Sequence, residues 1–188
     1  AGFPVEDLAG YTVGDPLPLK LREITLSGNP FELRHYQKEA AQIFYASGSE
    51  KGGSGVIVLP CGSGKTVIGM ATMALIQTKT LILTPNVSAS RQWIRELLDK
   101  TTLTEDQVKE YSGEVKEIGP VTIATYQILT QRKRTPKKTD DNEEKEEPKE
   151  LSYFPLFSAQ HWGLMIYDEV HLLPAPVFRL SAEMQATR

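Results

Sequence analysis

Several features are scarce in this sequence of 188 residues, and each scarcity excludes a class of protein. A single cysteine, Cys61, cannot form a disulfide within the chain and does not lie in a metal-ligand cluster, so a reducing, intracellular setting is the simple interpretation. No apolar run is long enough to span a bilayer, and the opening residues lack the basic and apolar stretches of a signal or transit peptide. A net positive charge is also lacking: 21 Lys and Arg against 24 Asp and Glu give a formal net charge of −3, whereas nonspecific nucleic-acid binders are usually basic. Any contact with nucleic acid must therefore come from a local groove or from further polypeptide.

Two segments stand apart from the rest by composition. Residues 1–30 are rich in glycine and proline, and we interpret them as a linker from an absent upstream domain. Residues 131–150 contain no apolar side chain except prolines, and a basic block is followed by an acidic block. Such a composition cannot offset the entropy of ordering, so it predicts a charged, disordered insert; an arm that guards DNA or binds a partner is the alternative.

Short apolar runs alternate with helical patterns through residues 31–188, which we expect to form one lobe. Central strands are predicted at 56–59, 80–83, 121–124 and 164–167, and helices from 31 onward, at 66–77 and at 88–100. Strands and helices in alternation indicate an α/β fold with a mostly parallel central sheet flanked by helices and joined by right-handed crossovers.

A phosphate-binding loop is predicted between the first of these strands and the next helix. The segment LPCGSGKT supplies Gly62, Ser63 and Gly64, whose backbone N–H groups would face phosphates at the positive end of a helix. Lys65 would reach the β- and γ-phosphates, and the Thr66 hydroxyl would bind Mg²⁺. The full Walker pattern has a further glycine where this chain has leucine. Helicase-type loops often lack that glycine, so the departure favours them over small GTPases.

Two carboxylates follow the last predicted strand, where ligands of open α/β sheets gather. Asp168 is the candidate Mg²⁺ partner, and Glu169 is the candidate base that orients the attacking water. An Asp-Glu pair alone is usually a solvated strand end. The phosphate loop upstream in the same predicted sheet makes a catalytic pair the favoured interpretation.

The sequence resembles the XPB family of superfamily-two DNA helicases. The resemblance is carried by LPCGSGKT, by HWGLMIYDEVHLLPA and by the order of the motifs between them, and it covers roughly residues 31–188. It implies a RecA-like P-loop fold, with this chain as the first helicase lobe, ending before the Thr-Ala-Thr motif expected next.

The resemblance also implies weaker assignments, each with a structural alternative. Arg34 and Gln37 resemble an adenine-sensing motif or are a helix-surface pair, and His171 resembles a residue that couples the nucleotide and DNA sides or is a packed histidine. The remaining motifs resemble strand-end contacts to one DNA strand, with turn and helix-cap roles as competitors: Thr84, Pro85, Asn86, Arg91, Gln92, Thr125, Tyr126 and Gln127.

The function implied is the ATP-binding motor lobe of an ATP-dependent DNA helicase or translocase acting in DNA repair or transcription. Its cofactors would be ATP and Mg²⁺. Its partners would be DNA as a single strand or unwinding junction, a second RecA-like lobe of the same protein, and repair or transcription proteins, in the cytoplasm of a prokaryote or the nucleus of a eukaryote. Without that second lobe and its arginine finger, we expect this fragment to bind ATP but to hydrolyse it very slowly and not to unwind DNA.

Two other functions remain open at the level of the residues. A P-loop enzyme of another type, such as a kinase or a chromatin-remodelling motor, would share the loop, although DEVH and the strand-end threonines count against a kinase. A protein-interaction module with a vestigial nucleotide site is the second. The presence of Lys65, Thr66, Asp168 and Glu169 argues against it, because a decayed site would lack some of them.

Overall fold

The computed structural model describes residues 13–48, 52–60, 62–130 and 154–172. The helices are α1 (His35–Tyr45), α2 (Lys65–Ile76), α3 (Val87–Lys100), α4 (Tyr126–Thr130) and α5 (Phe154–Ser158). The strands are β1 (Thr80–Thr84), β2 (Val108–Tyr111), β3 (Val121–Thr125) and β4 (Leu164–Tyr167). Short 3₁₀ helices lie at Ala46–Gly48 and Val170–Leu172. The predicted helices at 66–77 and 88–100 are confirmed as α2 and α3, and the helix predicted from residue 31 onward begins at His35.

The four strands form one parallel sheet in the order β2-β3-β1-β4. In its centre Ile82 of β1 lies opposite Ile123 of β3 on one side and Ile166 of β4 on the other. Every residue of β1 and β3 is buried, which explains why their sequences are continuous apolar and threonine runs without polar alternation. The predicted parallel sheet is confirmed, with three of its expected strands.

Successive residues of a strand point to opposite sides of the sheet, and helices cover both of these faces. Ile82 joins Met70, Met73, Trp93 and Leu97 in one core cluster against α2 and α3. On the other face a second core cluster contains the two neighbours of Ile82 in β1, Leu81 and Leu83. Its other members are Ala124, Tyr126, Leu129, Leu156, Phe157, Trp162 and Met165. Burying each large apolar side chain contributes about 1.5 to 3 kcal/mol.

The prediction of a strand at 56–59 is wrong: the structure has no strand there. Residues 52–60 form no strand, and Val56 and Val58 are 77% and 86% exposed. Leu59 alone of this run packs against a core cluster, the one built on Ala41, Ile68 and Ala71. An apolar, β-branched run favours extended backbone, but a buried strand also needs a hydrogen-bonded neighbour. The run pairs with no strand of the described sheet, in which β4 is the end strand.

The segment 13–30 is packed onto the lobe, unlike a free linker. Leu17 and Leu19 are 5% and 2% exposed and belong to the core cluster that contains Ile82. The main chain of this segment donates hydrogen bonds to carbonyls at the ends of α2 and α3, namely Leu17 to Gln77, Arg22 to Lys100 and Leu26 to Asp99. These contacts join residues 13–30 to the lobe predicted at 31–188. Residues 1–12 and the predicted insert at 131–150 lie outside the described residues.

Among the described residues, no helix is both long and apolar enough to cross a membrane.

Candidate active site

The predicted phosphate loop leads directly into α2. Gly62 and Gly64 have φ angles of +75° and +79°, a region that residues with a Cβ rarely adopt. These glycines turn the chain so that α2 begins at Lys65, with its N-terminal N–H groups at the loop. Tyr36 and Gln37 of α1 both donate hydrogen bonds to the carbonyl of Ser63, over 2.5 and 3.2 Å. The loop is therefore held from behind by α1.

The two carboxylates at the end of β4 lie beside this loop. The backbone N–H of Asp168 donates to the carbonyl of Leu83, which extends the pairing of β4 with β1 by one residue. Lys65 Nζ lies 2.6 Å from Glu169 Oε1, joining residues far apart in the chain. His171 Nδ1 lies 3.5 Å from Glu169 Oε2 and is exposed. The structure therefore brings together the predicted phosphate lysine, the predicted base and the predicted coupling histidine.

Glu169 is a stabilised anion in this arrangement. Its hydrogen bond from Lys65 lowers the pKa of the Glu169 carboxyl below its ordinary value; burial partly opposes this, and the charges of Lys65 and His171 add to the lowering. Glu169 also has a positive φ of 52°, an uncommon conformation for a residue with a side chain. The chain thus turns sharply after Asp168, so the two neighbouring acids have different partners.

Asp168 is fixed at both its side chain and its main chain. Its Oδ2 accepts a hydrogen bond from Trp93 Nε1 over 2.9 Å, and its carbonyl accepts one from the Tyr126 hydroxyl over 2.6 Å. Burial raises the pKa of Tyr126 far above its ordinary value, and the negative charge of Asp168 raises it further. Tyr126 therefore stays a neutral donor at physiological pH.

A cleft of about 360 Å³ opens between the loop, the two carboxylates and α3. Its lining residues are Gly62, Gly64, Lys65, Thr66, Val67, Gln92, Trp93, Glu96, Asp168 and Glu169. The hydroxyl of Thr66 and the carboxylate of Asp168 are hard oxygen donors. Mg²⁺ is usually held by one or two such protein groups together with substrate phosphates, so this donor set fits Mg²⁺.

Sequence reasoning missed the contacts that Trp93 of α3 and Tyr36 of α1 make at this site. Trp93 lies on the buried face of α3 and is 2% exposed, and its N–H reaches Asp168. A buried tryptophan needs an acceptor for that N–H, and this was a signal that something polar must face it. Tyr36 carried no comparable signal, because a tyrosine on an amphipathic helix is ordinary.

The proposed adenine-sensing pair has structural partners. Gln37 is 5% exposed; its Oε1 accepts from the backbone N–H of Arg34 over 3.0 Å, and its Nε2 donates to the Ser63 carbonyl. The amide of Gln37 therefore ties the start of α1 to the phosphate loop. Arg34 is exposed, and its guanidinium lies 3.4 Å from the Tyr36 hydroxyl.

The proposed DNA-contacting residues divide into buried and exposed groups. Thr84, Thr125 and Tyr126 are at most 5% exposed, so their side chains face the core, and their contact with DNA stays a prediction. Asn86 is exposed, but its Oδ1 accepts from the backbone N–H of Ala89 and caps α3. Arg91 is exposed and forms ion pairs with Glu110 and Glu114.

The remaining members of this set lie at the surface: Pro85 is half-buried, and Gln92 and Gln127 are exposed.

Known proteins match this chain along most of its length. The family described as "Type III restriction enzyme, res subunit" matches residues 30–186. "DNA 3'-5' helicase XPB" of Mycobacterium tuberculosis is 49% identical over 100% of the chain, and "Putative DNA 3'-5' helicase Rad25" of Haloarcula marismortui is 39% identical over 98%. The chain spans 30% and 25% of the length of these relatives.

A solved structure has the same fold. The UvsW helicase from bacteriophage T4 matches 84% of this chain and 50% of its own, with a TM-score of 0.57 and 18% sequence identity. That likeness supports the RecA-like α/β fold predicted from the sequence. The predicted resemblance to XPB helicases is confirmed by the relatives, and the chain belongs to the family described as type III restriction enzyme, res subunit.

Proposed function

We propose that this chain is the ATP-binding motor lobe of an ATP-dependent DNA helicase or translocase of XPB type. The observation that carries the proposal is the 2.6 Å ion pair between Lys65 and Glu169, at the mouth of a helix N-terminus and beside Asp168. A cation, an anion and backbone N–H groups converge on one cleft, as a phosphoryl-transfer site requires. The names of the relatives, which are DNA helicases, supply the DNA side of the proposal.

In this mechanism Lys65 changes partners. Before ATP binds, its ammonium neutralises Glu169; the β- and γ-phosphates then compete for it and for the N–H groups at the start of α2. The release of Lys65 leaves Glu169 as a carboxylate able to orient a water and accept its proton. The proposed switch gives the pair two roles, one in each nucleotide state.

Thr66 and Asp168 hold Mg²⁺ in this proposal. Bound by these two residues, Mg²⁺ would supply positive charge that offsets the negative charge of the phosphates. The protein's part is to keep both oxygen donors fixed at the end of the loop and the end of β4. Arg34 and Gln37 are proposed to act on the adenine side through the position of the loop, since Gln37 contacts Ser63.

In this proposal, DNA binding and movement along DNA need a second RecA-like lobe in addition to this chain. The exposed residues of the proposed DNA side are Asn86, Arg91, Gln92 and Gln127. His171, which lies beside Glu169, is proposed to couple the nucleotide site to the DNA side. A second RecA-like lobe would supply an arginine finger, which contributes about 10³ to 10⁵ in rate. A motor of this kind acts on DNA inside the cell, in repair or transcription and with proteins of those processes.

The test is titration of a fluorescent ATP analogue with Mg²⁺, with GTP as the competitor. We expect saturable binding that prefers adenine and that Lys65→Ala abolishes. Lys109→Ala is the matched control, because Lys109 is also ion-paired, with Glu117 at 3.3 Å, but lies on β2 away from the cleft. Binding that survives Lys65→Ala would contradict the proposal, and so would equal losses in the two variants.

A further inference from the structure

We propose that Trp93 is a positioning residue that holds the Asp168 carboxylate in the orientation that Mg²⁺ needs. The indole Nε1 of Trp93 donates to Asp168 Oδ2 over 2.9 Å, and both residues line the cleft. The inference rests on the proposed function, because it assigns Trp93 a role toward the same metal site. It adds α3, a helix outside the phosphate loop and the strand-end acids, to the machinery that sets metal affinity.

The ring of Trp93 is held rigidly, as a positioning group must be. Its side chain is 2% exposed and sits in the core cluster between α2 and α3. A Cβ built at Gly69 of α2 would lie 2.5 Å from Cη2 of the ring and 3.3 Å from Cζ3. The absence of a side chain at Gly69 therefore lets the ring lie against α2, with its N–H directed at Asp168.

The hydrogen bond leaves Asp168 with little rotational freedom. Oδ2 is engaged by Trp93, while the main-chain carbonyl is engaged by Tyr126, so the residue is anchored at two separate points. The same two hydrogen bonds therefore also fix the direction of Oδ1, the other carboxylate oxygen of Asp168. A partner of this kind fixes the geometry of a metal ligand, and its loss typically weakens metal affinity about 10- to 100-fold.

The neighbouring acid shows why a dedicated anchor matters. Glu169 is paired with Lys65, a group that the proposed mechanism requires to change partners. Asp168 is joined instead to an uncharged, buried donor that phosphate cannot draw away. The metal ligand therefore keeps its orientation while the ion pair beside it rearranges.

A structural role is the competing explanation, and the chain contains a matched control for it. Trp162 is also buried, at 3% exposure, and its Nε1 donates to the Leu156 carbonyl over 3.1 Å on the other face of the sheet. Replacing either tryptophan with phenylalanine removes one buried N–H and part of a ring. Trp93→Phe alone removes a donor from Asp168.

The experiment measures the Mg²⁺ concentration that half-saturates binding of a fluorescent ATP analogue to the full-length protein containing this chain. We expect Trp93→Phe to raise that concentration about 10-fold, while analogue binding in EDTA stays as in the parent protein. Trp162→Phe should leave both values unchanged. Thermal unfolding of each variant identifies any that fails to fold.

A double-mutant cycle keeps the inference testable if Trp93→Phe is destabilising. If Trp93 acts through the carboxylate, Trp93→Phe should have almost no further effect on Mg²⁺ dependence in a protein that already carries Asp168→Ala. Additive effects in the cycle, an unchanged Mg²⁺ dependence in Trp93→Phe, or equal shifts in Trp93→Phe and Trp162→Phe would overturn the inference. A parent protein that binds no nucleotide with or without Mg²⁺ would instead overturn the proposed function, and this inference with it.

Discussion

The proposed nucleotide side and the proposed DNA side of this lobe both lie at the carboxyl ends of strands in one sheet, yet they differ in burial and in ion pairing. On the nucleotide side, Lys65 and Glu169 meet at 2.6 Å in an open cleft. On the DNA side, Thr84 and Thr125 are fully or almost fully buried, and Arg91 is already ion-paired. Phosphate chemistry demands unusual residues in unusual backbone conformations, whereas threonines at strand ends also serve ordinary structure. The first set of residues was therefore easier to place from sequence.

The largest expected effect tests whether the Lys65–Glu169 pair is both a resting contact and a catalytic one. In the full-length protein, Glu169→Gln should lower the rate of ATP hydrolysis about 10²- to 10⁴-fold, because the amide cannot accept the water's proton. It should also tighten ATP binding about two- to five-fold, since Lys65 loses a partner that competes with phosphate. Steady-state hydrolysis and equilibrium binding of an ATP analogue measure the two effects.

Glu117→Gln is the control for this prediction. Glu117 is likewise paired with a lysine, Lys109 at 3.3 Å, but it lies outside the cleft, so both measurements should match the parent protein. A Glu169→Gln protein that hydrolyses ATP at a normal rate would remove the base role. One that binds ATP more weakly would show that the resting pair does not compete with phosphate.

How far the sequence predicted the fold depended on how many independent signals each element carried. The strands β1, β3 and β4 combine apolar runs with helices on either side, and all were predicted. β2 reads Val-Lys-Glu-Tyr, with charged residues on an end strand, and it carried too little apolar pattern to be recognised. The run at 56–59 also lies between two helices, and its prediction was still wrong, because strand pairing depends on neighbours that an apolar run does not specify.

Some residues of the candidate site could be predicted from the sequence and others could not. Lys65 and Glu169 were assigned from motif spacing, and the structure brings them together. Trp93 and Tyr36 were missed because their contacts join segments distant in sequence, Trp93 to Asp168 and Tyr36 to Ser63. Apolar periodicity identifies the buried face of a helix but not which buried side chain has a polar end at a neighbouring strand.

A second prediction asks whether the buried threonines are structural. Thr84 Oγ1 lies 2.7 Å from Ser90 Oγ, whereas Thr125 Oγ1 is buried and has no hydrogen-bond partner among the described residues. Thr84→Val should lower the free energy of unfolding by about 0.5 to 1.5 kcal/mol, because it removes the hydrogen bond to Ser90, whose hydroxyl keeps the Asn86 carbonyl as a partner. Thr125→Val should be neutral or stabilising. Chemical denaturation measures both.

The two valine variants also separate structure from DNA contact. If the Thr125 side chain faces only the core, Thr125→Val leaves the affinity for single-stranded DNA unchanged. A stable Thr125→Val protein with weakened DNA binding would restore the sequence-based expectation for that residue. It would also mean that the hydroxyl turns outward when DNA binds.

The smallest expected effect concerns Arg91, the exposed cation of the proposed DNA side. Its Nη2 lies 3.0 Å from a Glu114 oxygen and its Nε lies 3.5 Å from a Glu110 oxygen. A phosphate must compete with these carboxylates, so Arg91→Ala should weaken single-stranded DNA binding only about three- to ten-fold. Glu114→Gln should strengthen it about two-fold, because this exposed ion pair is worth little by itself.

Salt dependence decides whether Arg91 acts through a phosphate. Losing one phosphate contact reduces the slope of log affinity against log salt concentration by about 0.7 for a single strand. Lys20→Ala removes an equal charge at the opposite end of α3, where the Lys20 backbone bonds to Thr102, and should leave the slope unchanged. Equal changes in Arg91→Ala and Lys20→Ala would mean that DNA senses only net charge. An altered slope in Arg91→Ala alone would place DNA at the N-terminal end of α3, on the same sheet edge as the nucleotide cleft.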